Sequence, residues 1–273
     1  MDAVILLSVA TVSIVAGLLG ALLGLGGGII LVPALVLLLG VPEKTAVAAS
    51  LLGVIATSVV ASTSHLRYRY VNMPLAVWLV SGTVLGALLG SLLFQLLAAR
   101  WIALGFVVLQ AYVAWTLARQ RTPEDGCEPT VTDTNNASAC YVDHATGKTV
   151  CYTPVRLSIG WMAGLFAGVV SALLGVGGGI IQVPVMHLWM NVPLKAAAAT
   201  SSFMIGITGS VSAVIYLLRG YVDPTLAAPS VLGVMGGAHL GASLSRKLRS
   251  RVLRTVLIVV LVVSAIRMVP RAF

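Results

Sequence analysis

Long apolar runs separated by short polar turns dominate the chain. Stretches of 18 or more largely apolar residues recur near 3–23, 45–64, 75–97, 101–118, 157–174, 196–218, 226–244 and 252–269. Each is long enough to cross about 30 Å of hydrocarbon as a helix. A helix satisfies its own backbone polar groups, which lipid cannot do for it. The pattern therefore predicts an all-α polytopic membrane protein. Asp2 places an acid where a secretory leader needs positive charge, and the first run is longer than a leader core, so it reads as a retained helix.

The pattern also repeats, at an offset of 151 residues. Leu23-Gly24-Leu25-Gly26-Gly27-Gly28-Ile29-Ile30 falls on Leu174-Gly175-Val176-Gly177-Gly178-Gly179-Ile180-Ile181. Pro33 falls on Pro184, Pro42 on Pro193, Lys44 on Lys195, Ser50 on Ser201 and Arg100 on Arg251. Between 16 and 50, 20 of 35 positions match their partners. Apolar matches arise by chance, so the Gly, Pro, Lys and Arg coincidences establish the duplication. The chain divides into a first repeat at 1–119, a soluble linker at 120–155 and a second repeat at 156–273.

Each repeat reads as five segments, at 3–23, 29–40, 45–64, 75–97 and 101–119 in the first. The second segment holds only about a dozen residues. With the first segment it forms either two crossings, one of them short, or a hairpin of partial helices that meets inside the membrane. Either way the pair contributes an even count and the other three an odd one. Two odd units in series lie in opposite orientations.

Lys and Arg, which accumulate in cytoplasmic loops, point the same way. In the first repeat they favour the turn after the third segment (Arg67, Arg69, with His65) over the next turn (Arg100). In the second repeat the bias switches, to Arg246, Lys247, Arg249, Arg251 and Arg254 over Arg219. The expectation is an inverted repeat in the cell (inner) membrane, with both termini outside and linker 120–155 cytoplasmic.

The linker carries five of the eight acids and all three cysteines, Cys127, Cys140 and Cys151. Ala145-Thr146-Gly147-Lys148 suggests the turn of a small hairpin. The cysteine spacing is not that of a metal site, which leaves one disulfide or three free thiols.

Composition narrows the class. Apolar residues make up 59% of the chain and charged residues 9%, with a mean hydropathy of +1.03. A soluble domain carries about 25% charged residues. The net charge of +9 follows helix ends without a basic stripe interleaved with aromatics, so it reads as topology and not as nucleic-acid binding. Outside the linker only Asp2, Glu43 and Asp223 are acidic, against fifteen Lys and Arg. No carboxylate lies well inside an expected helix, where a cation carrier would place one. A small anion is the better expected substrate, and nothing calls for a cofactor or metal.

The glycine clusters give the site. Gly24, Gly26, Gly27 and Gly28, and their partners Gly175, Gly177, Gly178 and Gly179, interrupt apolar helix. Glycine has the most backbone entropy to lose in a helix, so such clusters favour unwinding. A helix restarting after the break presents free N–H groups and a positive dipole end, a natural anion site. Two such ends related by the inverted repeat would converge near the midplane. The competing reading is close helix packing. Ser50, Ser201 and Ser202 add hydroxyl donors, and Gln182, His187 and His239 are polar where the first repeat has Leu31, Val36 and Leu88. A histidine within the membrane serves as ligand donor, proton carrier or structural hydrogen bonder. The spacing of Gly82, Gly86 and Gly90, and of Gly233, Gly237 and Gly241, reads as helix packing.

With GLGGGIILVP and GVGGGIIQVP in register, the chain resembles the TauE/SafE (sulfite exporter) family of membrane permeases across about 5–119 and 157–269. The resemblance implies transport of sulfur-containing anions such as sulfite or organosulfonates, and carries over the motif glycines with Pro33 and Pro184. The expected function is a secondary transporter, exporter or facilitator, working by alternating access, and not an enzyme. An anion-selective channel and a haem- or metal-binding membrane enzyme using His187 and His239 are the alternatives.

Overall fold

A computed structural model describes residues 3–23, 26–67, 69–119, 138–142, 149–244, 259, 262–263 and 265–267. The first repeat forms α1 (Ala3–Leu23), α2 (Gly28–Leu39), α3 (Glu43–Arg67), α4 (Met73–Leu96) and α5 (Ala99–Arg119). Strands β1 (Ala139–Val142) and β2 (Thr149–Tyr152) follow, then α6 (Leu157–Leu174), α7 (Gly179–Leu188), α8 (Leu194–Leu218) and α9 (Pro224–Leu244). Among the described residues α3, α4, α6 and α8 are long and apolar enough to span a membrane. The last expected segment, 252–269, lies mostly outside the described residues. Val259, Val262, Val263 and Ala265 to Arg267 within it are helical.

Local chemistry fixes the helix ends. Asn72 accepts from Leu75 N–H at 3.1 Å and Pro74 sits in the first turn, so α4 starts with a side-chain cap and a missing donor where none is needed. Gly40, at φ 64°, closes α2 by a left-handed turn. With 12 and 10 residues, α2 and α7 are only about 18 and 15 Å long.

The repeats interlock. α1 packs on α9 and α4 on α6, so the first helix of each repeat lies against the fourth helix of the other. The glycine stripes make this possible. A methyl group on Gly82 or Gly90 would meet the Trp161 or Val169 carbonyl oxygen at 2.8 or 2.6 Å, and one on Gly86 would overlap that of Leu165. Gly233 and Gly237 approach the Ala10 and Ile14 carbonyls in the same way. These stripes are packing surfaces, as small residues are between membrane helices.

α3 and α8 form the crossing at the centre. At one end of the molecule Lys44 Nζ, on α3's first turn, lies 3.4 Å from Gln95 O and 5.7 Å from the ring of Tyr221, just past α8. At the other end Asn72 N–H, just past α3, donates to Thr200 Oγ1 near the start of α8 at 3.1 Å. The two equivalent helices therefore run in opposite directions, as an inverted repeat requires. The outward face of α4 stays apolar, with Val77 and Leu96 69% and 84% exposed, as a lipid-facing surface must be.

The strands pair antiparallel, Cys140 opposite Cys151, and these two form a disulfide. The expected turn itself, with Cys127 and most of the linker, lies outside the described residues. Tyr141 and Tyr152 are buried against Leu75, Leu79, Met186, Met190 and Met204, so the hairpin roofs the ends of α4, α7 and α8. Burial pushes the Tyr152 phenol up to about 12, against a hydrogen bond with the Asn72 side chain that lowers it.

Candidate functional site at the paired glycine breaks

Two left-handed glycine turns open the short helices. Gly26 and Gly27 have φ 76° and 75°, and their partners Gly177 and Gly178 have φ 88° and 70°. Gly27 and Gly178 are the N-caps of α2 and α7, with no side-chain cap at either. Each would bring a Cβ to about the same neighbour, Ala16 O at 3.2 Å or Ala167 O at 3.0 Å. A side chain is disfavoured there by conformation and by space.

The breaks touch each other. A methyl group on Gly28 would overlap Gly175 O, and one on Gly26 would lie 3.8 Å from Val176 O. Val54 and Ile205 flank Gly177, 2.8 and 2.9 Å from where a Cβ on it would sit. Each is the twelfth residue of its 25-residue helix, α3 or α8. The contact therefore lies level with the middle of the two long helices.

The expected hydroxyls divide. Ser50 Oγ donates to Gly175 O at 2.9 Å, tying the first repeat to the second break. Ser201 Oγ donates to Gln182 Oε1 at 3.3 Å and lies 3.2 Å from where a Gly179 Cβ would sit. Ser202 bonds within its own helix, to Ala198 O at 2.8 Å. Gln182 is 4% exposed. Gly24 falls outside the described residues.

The histidines stand apart. His187 is in the last turn of α7, its Nδ1 3.0 Å from Val192 O, and His239 is exposed on α9. The structure thus gives His187 a backbone partner and keeps His239 out of the buried region.

Two threonines belong to the region beside the serines that the sequence singles out. Thr57 Oγ1 donates to Gly26 O at 3.0 Å. Thr208 Oγ1 donates to Thr83 Oγ1 at 2.9 Å, tying α8 to α4. Their own register gave the signal, since Thr57 and Thr208 are also 151 residues apart. Among the described residues the buried polar side chains are Ser, Thr, Asn, Gln and three tyrosines (Tyr141, Tyr152 and Tyr216), and none is an acid, lysine or arginine.

Against known families, residues 9–268 match the family described as "Sulfite exporter TauE/SafE". The chain belongs to the TauE/SafE family. A probable membrane transporter protein of Bacillus subtilis, YunE, is 27% identical over 256 residues, covering 91% of this chain and 92% of its own. One from Haemophilus influenzae is 27% identical, with 94% and 95% covered. One from Methanocaldococcus jannaschii is 26% identical, with 90% and 88% covered. No solved structure matches. TauE/SafE membership is membership of a transporter family and not an enzyme family, which removes the haem or metal enzyme.

Proposed function

We propose that this chain is a secondary carrier for a small anion, sulfite or an organosulfonate, working by alternating access between the two inverted repeats. The observation that carries the reading is the meeting of two left-handed glycine turns, each opening a short helix, in an interior with neutral buried polar groups. The first N–H groups of a helix have no intrahelical acceptor, and the helix dipole adds partial positive charge there. Such ends favour an anion. A cation would need acceptors in their place, and the described interior has no buried carboxylate. The family's name supports the sulfur chemistry, and the glycine breaks support the charge sign.

In this reading 1–119 and 156–273 are the moving units, and the α3–α8 crossing is the surface across which they rock. The Lys and Arg distribution supports linker 120–155 in the cytoplasm and the termini outside, whereas the Cys140–Cys151 disulfide, a bond of oxidising compartments, supports the reverse. Cys140 and Cys151 test the cytoplasmic placement. After reduction of membrane vesicles, an impermeant maleimide labels them only when the cytoplasmic face is outward. Labelling of right-side-out vesicles would reverse the orientation.

The function is tested by counterflow in proteoliposomes, using sulfite, thiosulfate, sulfoacetate, taurine and matched carboxylates. A carrier saturates, and its uptake rises when unlabelled substrate waits on the far side. Flux that neither saturates nor exchanges makes the same site an anion channel. Binding of small cations with failure of every anion overturns the reading.

A further inference from the structure

The breaks share a backbone but not a polar inventory. At the first, Ser50, Thr57 and Gln110 all donate to backbone carbonyls: Gly175 O, Gly26 O and Ile29 O at 2.9, 3.0 and 3.4 Å. Position 31 there is leucine, 1% exposed. At the second break the same register holds Gln182. Its Oε1 accepts from Ser201, and its buried Nε2 has no protein partner.

That arrangement is asymmetric in chemistry as well as in sequence. With Ser201 Oγ donating to Oε1 at 3.3 Å, that end of the amide points back at α8 and the NH2 faces the other way. A buried donor without an acceptor costs about 1–3 kcal/mol, and a leucine at this place would cost nothing of the kind. Serines elsewhere in the core, such as Ser13 and Ser230, also have unpartnered hydroxyls. A helical serine can turn its hydroxyl to its own helix's carbonyls; the pinned amide has no such recourse.

Gln182 lines a cleft between α4, α6, α7 and α8, with Leu79, Gly164, Met186, Met190 and Met204 among the other walls. In this conformation the cleft has room for about one water. Its walls include flexible methionines, which repack readily. The disulfide hairpin roofs the same apolar cluster.

The geometry points to Gln182 as the substrate's hydrogen-bond donor in a one-sided subsite of the second repeat, with Ser201 as the positioning residue. The subsite takes an oxygen of a small oxyanion from the neutral amide NH2, and the methionine walls move to admit it. The inference rests on the proposed anion transport and adds to it that the inverted repeat binds asymmetrically.

The test is anion binding to the detergent-purified full chain, by calorimetry, with the sulfite, thiosulfate, sulfoacetate and taurine panel. Gln182→Leu copies the first repeat and removes the donor, and Gln182→Met does so with little change of shape. Both are expected to keep the wild-type unfolding temperature or raise it, and to weaken binding about tenfold or more, the scale of one hydrogen bond to a charged group. Ser201→Ala is expected to weaken binding less, and Ser201→Thr to restore it, which a purely structural serine would not show. If wild type binds an anion and both Gln182 variants bind it equally, the amide holds only water and the inference falls. If wild type binds no anion, the transport reading itself falls.

Discussion

At the first glycine break Leu31 is packed away and every nearby donor reaches a backbone carbonyl; at the second, Gln182 holds a donor with nowhere to go. Yet the backbones match, down to left-handed glycines and a helix carbonyl, Ala16 or Ala167, pressed against each N-cap. Duplication preserves what the main chain needs, because its requirement is steric and applies to both copies. It leaves the side chains free to differ, and in the proposed subsite the ligand meets them from one repeat only. Backbone symmetry with side-chain asymmetry therefore separates the scaffold of the site from its selectivity.

The largest effects should be symmetric. Gly27→Leu and Gly178→Leu each force a side chain into left-handed backbone, at about 1–2 kcal/mol, and press it on a carbonyl, at about 1–3 kcal/mol more. Both are expected to abolish transport and to lower the unfolding temperature by similar amounts, read by thermal unfolding in detergent and by proteoliposome flux. Normal folding with full transport in both variants would reduce the breaks to ordinary packing. A large loss in one and none in the other would show that the two scaffolds are not equivalent.

How legible this was in the sequence depended on the kind of interaction. The helices were readable because lipid demands long apolar runs, and the expected 75–97 and 157–174 became Met73–Leu96 and Leu157–Leu174. The stripe Gly82, Gly86 and Gly90 was readable as packing because a four-residue period selects one helix face. Its partner was not, since nothing local says that α4 lies along α6 of the other repeat. The glycine breaks were readable through their repetition. Ser50's bond to Gly175 joins residues 125 apart, and only the folded crossing brings them together. Gln182 stood out as a polar residue opposite a leucine, but its free NH2 depends on Ser201 holding the other end.

A smaller effect exchanges the asymmetric pair. Leu31→Gln removes a fully buried leucine and inserts an amide where Ser50, Thr57 and Gln110 already donate to the backbone carbonyls. The expected cost is about 2–5 kcal/mol, from lost burial and an unsatisfied polar group. Gln182→Leu, by contrast, is expected to be neutral or to stabilise by about 1 kcal/mol. Thermal unfolding of the two variants measures the difference. Equal destabilisation would mean that Gln182 is satisfied in the folded protein and that the two breaks do not differ as described.

The smallest effects come from the serines, and their kind matters more than their size. Ser50→Ala removes the donor to Gly175 O, the bond that ties the repeats together at the breaks. About 1 kcal/mol of stability should go, with anion affinity little changed, because Ser50 is occupied by the backbone. Ser201→Ala removes a longer bond, 3.3 Å, that joins two side chains and supports no backbone group. Its stability cost should be smaller still, while affinity falls because the Gln182 amide is free to turn. Paired unfolding and binding measurements on the two variants give a crossed pattern if one serine is scaffold and the other serves the ligand. Parallel losses in both quantities would assign both serines to the scaffold and leave Gln182 without its orienting partner.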